Sequence, residues 1–475
     1  MADNNSFTKR RELDLEKLQA VALRNPELFA RRNFNEDAAL LESVGITIPG
    51  KESMAHLMLK IFPSDFIVEE VALGGRVCSA GETSDGFADT PDANFVHMTV
   101  VKCGMATMDV VNELGRILNC PPEKIQYAGI KDKWAITAQR LSIPLIVVEA
   151  SGIALETITH EQFFLKDIVR GKGAVQPGQL EGNRFTILLR NGELSEREKA
   201  EAKNNFISKA KGGIANFFYL QRFRAPRFTN FHWAFLILAG KYKRAVELYL
   251  TEVTGREMPY FESMREEAKT FLDDPQKLHR LFGEYPSFFE TEAELTKYLS
   301  SHPGDYIGAL RAVENQVHMW MHALTSYFFN RKVSEYLAAG TFPPKTLPLM
   351  LSRDKNDLLP YAELMKKSGL FPPPLENLRP FRSIQLKRRE IQTLEKVVLD
   401  FVEILPEGLR LRFVLGKGQY ATTYLSHAVT IANDIERDFE EEKPVVLSEY
   451  EGVINKFAVA NKARGVESLF GTESE

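Results

Sequence analysis

Apolar residues recur along the 475-residue chain at two periods, and the period changes twice. From His56 to about Arg190 the runs are short and strand-like: HLMLKIF, FIVEEV, FVHMTVVKC, the run after Asp132, and NRFTILLR. One helix interrupts them, where Val110, Val111, Leu114, Ile117 and Leu118 form an apolar stripe behind Thr107, a residue placed to cap it. A second helix, from about Ser195 to Lys211, is polar at most positions and stops at Gly212-Gly213. From about Phe228 to Pro374 the period turns helical, in HWAFLILAGKYKRAVELYL and ALRAVENQVHMWMHALTSYFFNRKVSEYL, and closes on the breaker Pro372-Pro373-Pro374. Strand-type runs then resume in LRLRFVLGKGQYATTYL. Residues 1–50 carry two short amphipathic patterns, Leu15, Leu18, Val21 and Leu40, Leu41, Val44, and predict a helical N-terminal extension. Strands, a helical block and strands again predict an insertion within one α/β domain or independent domains in series; periodicity alone does not choose.

The segment Tyr127–Pro144, YAGIKDKWAITAQRLSIP, concentrates the candidate chemistry. Asp132 stands between Lys131 and Lys133, after the turn former Gly129. Ile136, Ala138, Arg140 and Ser142 then alternate with Thr137, Gln139, Leu141 and Ile143. By composition alone the motif reads as a charged hairpin tip facing water. The alternation that follows predicts a strand with two differently used faces, which would put Asp132 at a strand end, where a catalytic carboxylate is well held.

Composition sets wide bounds. At 44% hydrophobic the chain has material for two or three domains. No run of eighteen apolar residues occurs, and MADNNSFTKRRELDLEKL lacks the apolar core of a secretory signal, so the expectation is a soluble intracellular protein, cytoplasmic or nuclear, with no membrane partner. Three cysteines, Cys78, Cys103 and Cys120, without Cys-x-x-Cys spacing support neither a disulfide framework nor a zinc site. The net charge of −4 does not advertise nucleic-acid binding, but it hides clusters. Arg379–Arg389 carries five cations and no acid, while Asp434–Glu442 is mostly acidic. In QRFRAPRF, Arg222, Arg224 and Arg227 interleave with Phe223 and Phe228, a composition suited either to phosphates and unstacked bases or to the edge of a core. His318 and His322 have metal-ligand spacing but no third ligand or zinc-hydrolase glutamate. Gly416-Lys417-Gly418 lacks the third glycine of a dinucleotide loop. No metal and no cofactor is expected.

The Asp132 segment resembles the signature of the TruD family of pseudouridine synthases, in which the matching aspartate is catalytic. Further blocks follow in family order over roughly residues 56–430. Lys60, Pro63, Asp65, Phe66, Val68 and Glu70 fit K-x-x-P-x-D-F-x-V-x-E, and Gly182, Asn183 and Phe185 fit G-N-x-F. His322, Ala323, Ser326, Tyr327 and Asn330 look like a helix of the family's inserted domain, and Gly418, Tyr420, Ala421 and Thr422 resemble a late G-x-Y/F-A-T strand. One block departs: where the family has P-N-x-F-G-x-Q-R-F-G, residues 214–224 read IANFFYLQRFR, with Tyr219 and Arg224 in place of glycines and Ala215 in place of proline. Lost glycines there imply a locally different bend or a narrower RNA path.

The resemblance implies a pseudouridine synthase fold, α/β with a mixed, largely antiparallel sheet. Residues 51–227 and 375–450 would be the two halves of the catalytic domain, 228–374 an α-rich insertion and 451–475 a tail. It implies uridine-to-pseudouridine isomerisation in RNA, with tRNA as partner and uridine 13 as the family-typical target. Asp132 is then the catalytic carboxylate and Lys60 the cation that keeps it ionised. Lys131 and Lys133 are expected to be exposed or aimed at phosphate. The base leaves the stack to react. Phe185 is expected to stack on it and Asn183 to bond its edge, with Lys131, Gln139, Gln221, Arg222 and Tyr420 as further substrate contacts. Two other readings are an RNA-binding or chaperone protein on the same scaffold, and a carboxylate-dependent nucleoside or glycoside hydrolase, for which Glu70 is the nearby second acid.

Overall fold

A computed structural model describes residues 2–29, 36–83, 86–432 and 443–463. It divides into two compact units: residues 1–52 with 215–394, and residues 53–214 with 395–475. The cuts fall at 214/215 and 394/395 instead of 227/228 and 374/375, and residues 1–52 group with the helical block instead of standing apart. The acidic run 434–442 and the tail beyond 463 lie outside the described residues.

The unit carrying Asp132 is built on a sheet of ten strands among the described residues: β1 (His56–Met58), β2 (Phe66–Val71), β3 (Phe95–Cys103), β4 (Gln126–Tyr127), β5 (Ile136–Pro144), β6 (Phe163–Gly171), β7 (Gly182–Arg190), β8 (Val398–Leu405), β9 (Gly408–Gly416) and β10 (Thr430–Ala432). Their order is β8-β9-β7-β2-β5-β3-β6, with β4 on β5 and β1 joining β10 to β7. Only β2–β5 and β1–β10 run parallel, so the sheet is mixed and largely antiparallel, as expected. β6 and β8 carry no clear alternation and are absent from the sequence reading. HLMLKIF is strand only to Met58. LRLRFVLGKGQYATTYL leaves the strand after Gly416, and Ala421–Ser426 is helix, so the block containing Tyr420 is a turn and a helix start instead of a strand.

Both faces of this sheet are covered. On one, Phe66, Val68, Phe185, Ile187, Leu411 and Phe413 pack with Ala202 and Phe206 of the helix Glu196–Gly212 and with Tyr424. Ser195 caps that helix reciprocally with Glu198, and Gly213 ends it at φ +77. On the other, Ile67, Val101, Ile136 and Ala138 meet Leu447, Tyr450, Val453, Ile454 and Phe457. Residues 451–457 are therefore a packed cover and not a loose tail, each fully buried large side chain contributing about 1.5–3 kcal/mol. Central strands covered on both faces read as nearly continuous apolar runs, which is why β2 begins Phe-Ile-Val.

The second unit is helical, with Asn230–Leu238, Tyr242–Thr251 and the long Glu314–Ala338 among its elements. Arg227 and Arg265 are buried in it among Glu257, Glu292 and Tyr249, Arg227 lying 4.4 Å from the Trp233 ring centre. Arg227 thus belongs to a core ion network. The N-terminal segment is fastened to this unit: Thr47 N–H bonds Ser334 Oγ at 2.9 Å, the Asn330 amide bonds the Val44 carbonyl at 3.2 Å, and Asp14 accepts from Ser287. Its buried Glu36 accepts a hydrogen bond from the Tyr219 hydroxyl. Burial pushes the Glu36 carboxyl up, while Tyr219 and Lys51 pull it back. Among the described residues no helix is long and apolar enough to cross a membrane.

Candidate active site

Strand register brings the site together. Val68 pairs with Phe185 and Glu70 with Asn183 across β2–β7; Val68 pairs with Thr137 across β2–β5; Lys102 pairs with Thr137 and Val100 with Gln139 across β3–β5. Paired residues share a face, so Glu70, Lys102, Gln139, Asn183 and Phe185 all project to the side crossed by the loop 128–135 that leads into β5. The loop is tied at several points. The Thr107 hydroxyl accepts from Lys131 N–H and donates to Gln139 Oε1, both at 3.0 Å, and the Gln139 NH2 donates to the Gly129 carbonyl at 2.9 Å. Thr107 therefore holds the loop; the cap position of its helix is Ala106. Gln139 is only 2% exposed, and both ends of its amide are used within the protein, by Thr107 and the Gly129 carbonyl.

Beneath the loop lies Lys102, which the sequence reading missed. Its side chain is buried, and Nζ donates to the Asp132 carbonyl at 2.6 Å and the Lys131 carbonyl at 3.4 Å. Burial lowers its pKa to about 7, against the opposing pull of Asp132. The available signal was period 2: Met98, Val100 and Lys102 share a face whose other members are core residues.

Asp132 has 32% of its side chain in contact with solvent, and its Oδ1 accepts from Lys60 Nζ at 2.7 Å. Burial pushes this carboxyl up, but Lys60, through charge and hydrogen bond, and Lys102 outweigh it, and the net displacement is below the usual carboxylate range. Lys60 is not a strand-edge lysine. It sits past the end of β1 at φ +58, a left-handed conformation that costs a lysine roughly 1–2 kcal/mol and aims its side chain at Asp132. Its ammonium also lies 4.2 Å from the Phe66 ring centre.

Lys131 departs from expectation. It is 5% exposed, with Nζ 2.9 Å from Glu70 Oε2 and 2.8 Å from Asn183 Oδ1, so it faces inward and not toward phosphate. Lys133 is exposed. Glu70, the second acid of the hydrolase reading, is 1% exposed and held by Lys131 and the Arg140 N–H, so it is not free to serve as a proton donor. Phe185 is 5% exposed, stacked on Phe413 at 5.3 Å and edge-on to Phe66 at 5.9 Å; it is a packed ring at the site floor and not an open platform.

Gln221 and Arg222 belong to the other unit, on the 3-10 turn Leu220–Phe223. Gln221 is exposed, and Arg222 lies over the Phe218 ring at 5.4 Å. Arg224 adopts φ +54, so the backbone bend that a family glycine would permit is present although the glycine is not. Tyr219 is extended at φ −85 and needs no glycine. His318 and His322 bond each other at 2.7 Å between Nε2 atoms, beside a small cavity that Lys387 and Arg389 also line. Among the described residues, no group of three or more His, Cys, Asp or Glu side chains could hold a metal ion.

One ionised carboxylate, paired to a lysine and held by a braced loop at the head of a central strand, defines a site for carboxylate chemistry at a carbon or proton centre on an α/β mixed-sheet scaffold. A family model described as tRNA pseudouridine synthase D (TruD) matches residues 52–346, more than half of the chain. The chain belongs to the TruD family. A Methanocaldococcus jannaschii protein named probable tRNA pseudouridine synthase D 1 is 26% identical over 385 residues, covering 78% of this chain and 94% of its own length. A Methanosarcina mazei protein named probable tRNA pseudouridine synthase D is 29% identical over 279 residues, 58% of this chain; the match spans 59% of that relative. A crystal structure from Methanosarcina mazei, described as a TruD protein, shares the fold at a TM-score of 0.64 and 23% identity, over 82% of this chain and 97% of that one.

Proposed function

We propose that this protein is an RNA pseudouridine synthase acting on tRNA, with uridine 13 as its target position and Asp132 as the reacting carboxylate. The Asp132–Lys60 pair at 2.7 Å carries the reading, because it keeps an enclosed carboxylate ionised at neutral pH. The N1–C1′ bond of uridine breaks, the base turns, C5 bonds to C1′, and the C5 proton departs as N1 gains one. Atoms and electrons balance without an oxidant, reductant or nucleotide. The carboxylate serves either as nucleophile at the sugar or as base toward a glycal, and both routes begin from the anion. Extruding the uridine costs a few kcal/mol, recovered in contacts within the pocket. Asn183 then bonds the base edge, while Phe185 packs from the floor.

The test is to incubate wild type and Asp132→Asn with unmodified cellular RNA and map pseudouridine at nucleotide resolution. Wild type should modify tRNA at position 13 and the variant should modify nothing while still binding RNA. Identical maps would overturn the role of Asp132, and a wild-type map without tRNA sites would overturn the substrate.

A further inference from the structure

The ammonium of Lys131 stands 2.8 Å from one atom of the Asn183 amide, and this settles which way the amide faces. An ammonium has three donors and no acceptor, so the atom it meets is the carbonyl oxygen; the reverse flip would set NH2 against NH3⁺. The lysine is itself anchored. Glu70, directly opposite Asn183 in the β2–β7 register, holds Nζ at 2.9 Å, and Thr107 holds the Lys131 N–H. The Asn183 NH2 has no protein partner among the described residues, and the residue is only partly buried.

We infer that Lys131 locks Asn183 as a hydrogen-bond donor to the base, so that the site reads a pyrimidine carbonyl, and reads a different one before and after the base turns. The inference rests on the proposed isomerisation and specifies its selectivity. Uracil has an approximate two-fold axis through N3 and C6. Turning about it exchanges N1 with C5, as the reaction requires, and exchanges O4 with O2. A fixed donor beside one carbonyl thus meets the other after the turn and stays satisfied throughout. Cytosine carries an amino group at C4, so in one of the two orientations it presents donor to donor, and the buried Lys131 prevents the amide from flipping to accommodate it. Lys131 is a positioning residue in this scheme, and Asn183 touches substrate.

The experiment compares single-turnover rates on RNA carrying uridine, 2-thiouridine or 4-thiouridine at the target position, since sulfur is a weak acceptor. For wild type both thio-substrates should react about 5–10-fold slower than uridine, the worth of one neutral hydrogen bond. Both penalties should vanish in Asn183→Ala and shrink in Lys131→Met, with the Lys131→Met loss in the rate constant and not in RNA affinity. A wild-type penalty at only one carbonyl overturns the two-orientation reading. No penalty at either, or penalties that persist in Asn183→Ala, overturns the inference altogether. Because the thio comparison uses wild-type protein, a misfolded variant does not obscure it, and wild type forming no pseudouridine from plain uridine would instead overturn the activity itself.

Discussion

Replacing Lys60 by methionine keeps the side-chain stem against Phe66 and removes the charge that holds Asp132 ionised. Two unit charges 4 Å apart interact by about 4 kcal/mol at an effective dielectric constant near 20. Asp132 is 32% and Lys60 17% exposed, so roughly half of that survives screening. Losing about 2 kcal/mol of that attraction displaces the acid limb upward. The sign follows from which form reacts: Asp132 must be an anion, its wild-type carboxyl lies below the usual range, and without Lys60 the burial that pushes it up is opposed only by Lys102. The Lys60→Met to wild-type rate ratio should therefore stay level near pH 8 and fall as the pH is lowered into the carboxylate range. Tritium release from RNA labelled at uridine C5 reports the rate, since that hydrogen is displaced when C5 bonds the sugar. A ratio that does not change with pH would refute the assignment of Lys60 as the ionising partner, whatever its effect on the overall rate.

Lys102→Met removes a buried amine with a folded-state pKa of about 7, well below its ordinary 10.5. The unfolded chain binds the extra proton between those values, so the penalty is full below pH 7 and relieved as pH rises; Lys102→Met should compare better with wild type in urea unfolding at pH 6 than at pH 9, by up to about 2.7 kcal/mol. Tyr219→Phe strips the buried Glu36 of its hydroxyl donor and should cost about 1–3 kcal/mol. Because that donor favours the ionised carboxylate, the loss should be larger at pH 8 than at pH 5, where Glu36 is protonated in either protein. Arg224→Gly should leave the melting temperature nearly unchanged, as relief of the left-handed conformation offsets glycine's entropy, whereas Arg224→Val should cost at least about 1 kcal/mol.

The Asp132 segment was legible because its two sides differ in kind: a charged loop, then an alternating strand that became β5. Lys60 was reachable only through the family resemblance, since no local pattern reveals that a residue past a strand end turns to φ +58 and points at a carboxylate 72 positions away. Lys131 was misread because adjacent lysines look alike in sequence. Contacts with Glu70 and Asn183, which face each other in the β2–β7 register, draw Lys131 inward and leave Lys133 in water, and that register is a long-range property. Gln139 spends its hydrogen bonds on the loop and Phe185 its ring on Phe413, partners that sequence order does not reveal. The unit boundaries were missed by about a dozen residues at the first cut and twenty at the second, because composition changes where helices begin and not where packing changes.

The fastening of residues 36–51 also has a consequence for synthesis. Thr47 finds its partner Ser334 only 287 residues later, and Glu36 waits for Tyr219, 183 residues on. At about 5–20 residues per second the ribosome needs roughly 15–60 s to deliver Ser334. During that interval Leu40, Leu41 and Val44, all buried in the finished protein, have no permanent cover. This segment stays open until roughly two thirds of the 475 residues have been made.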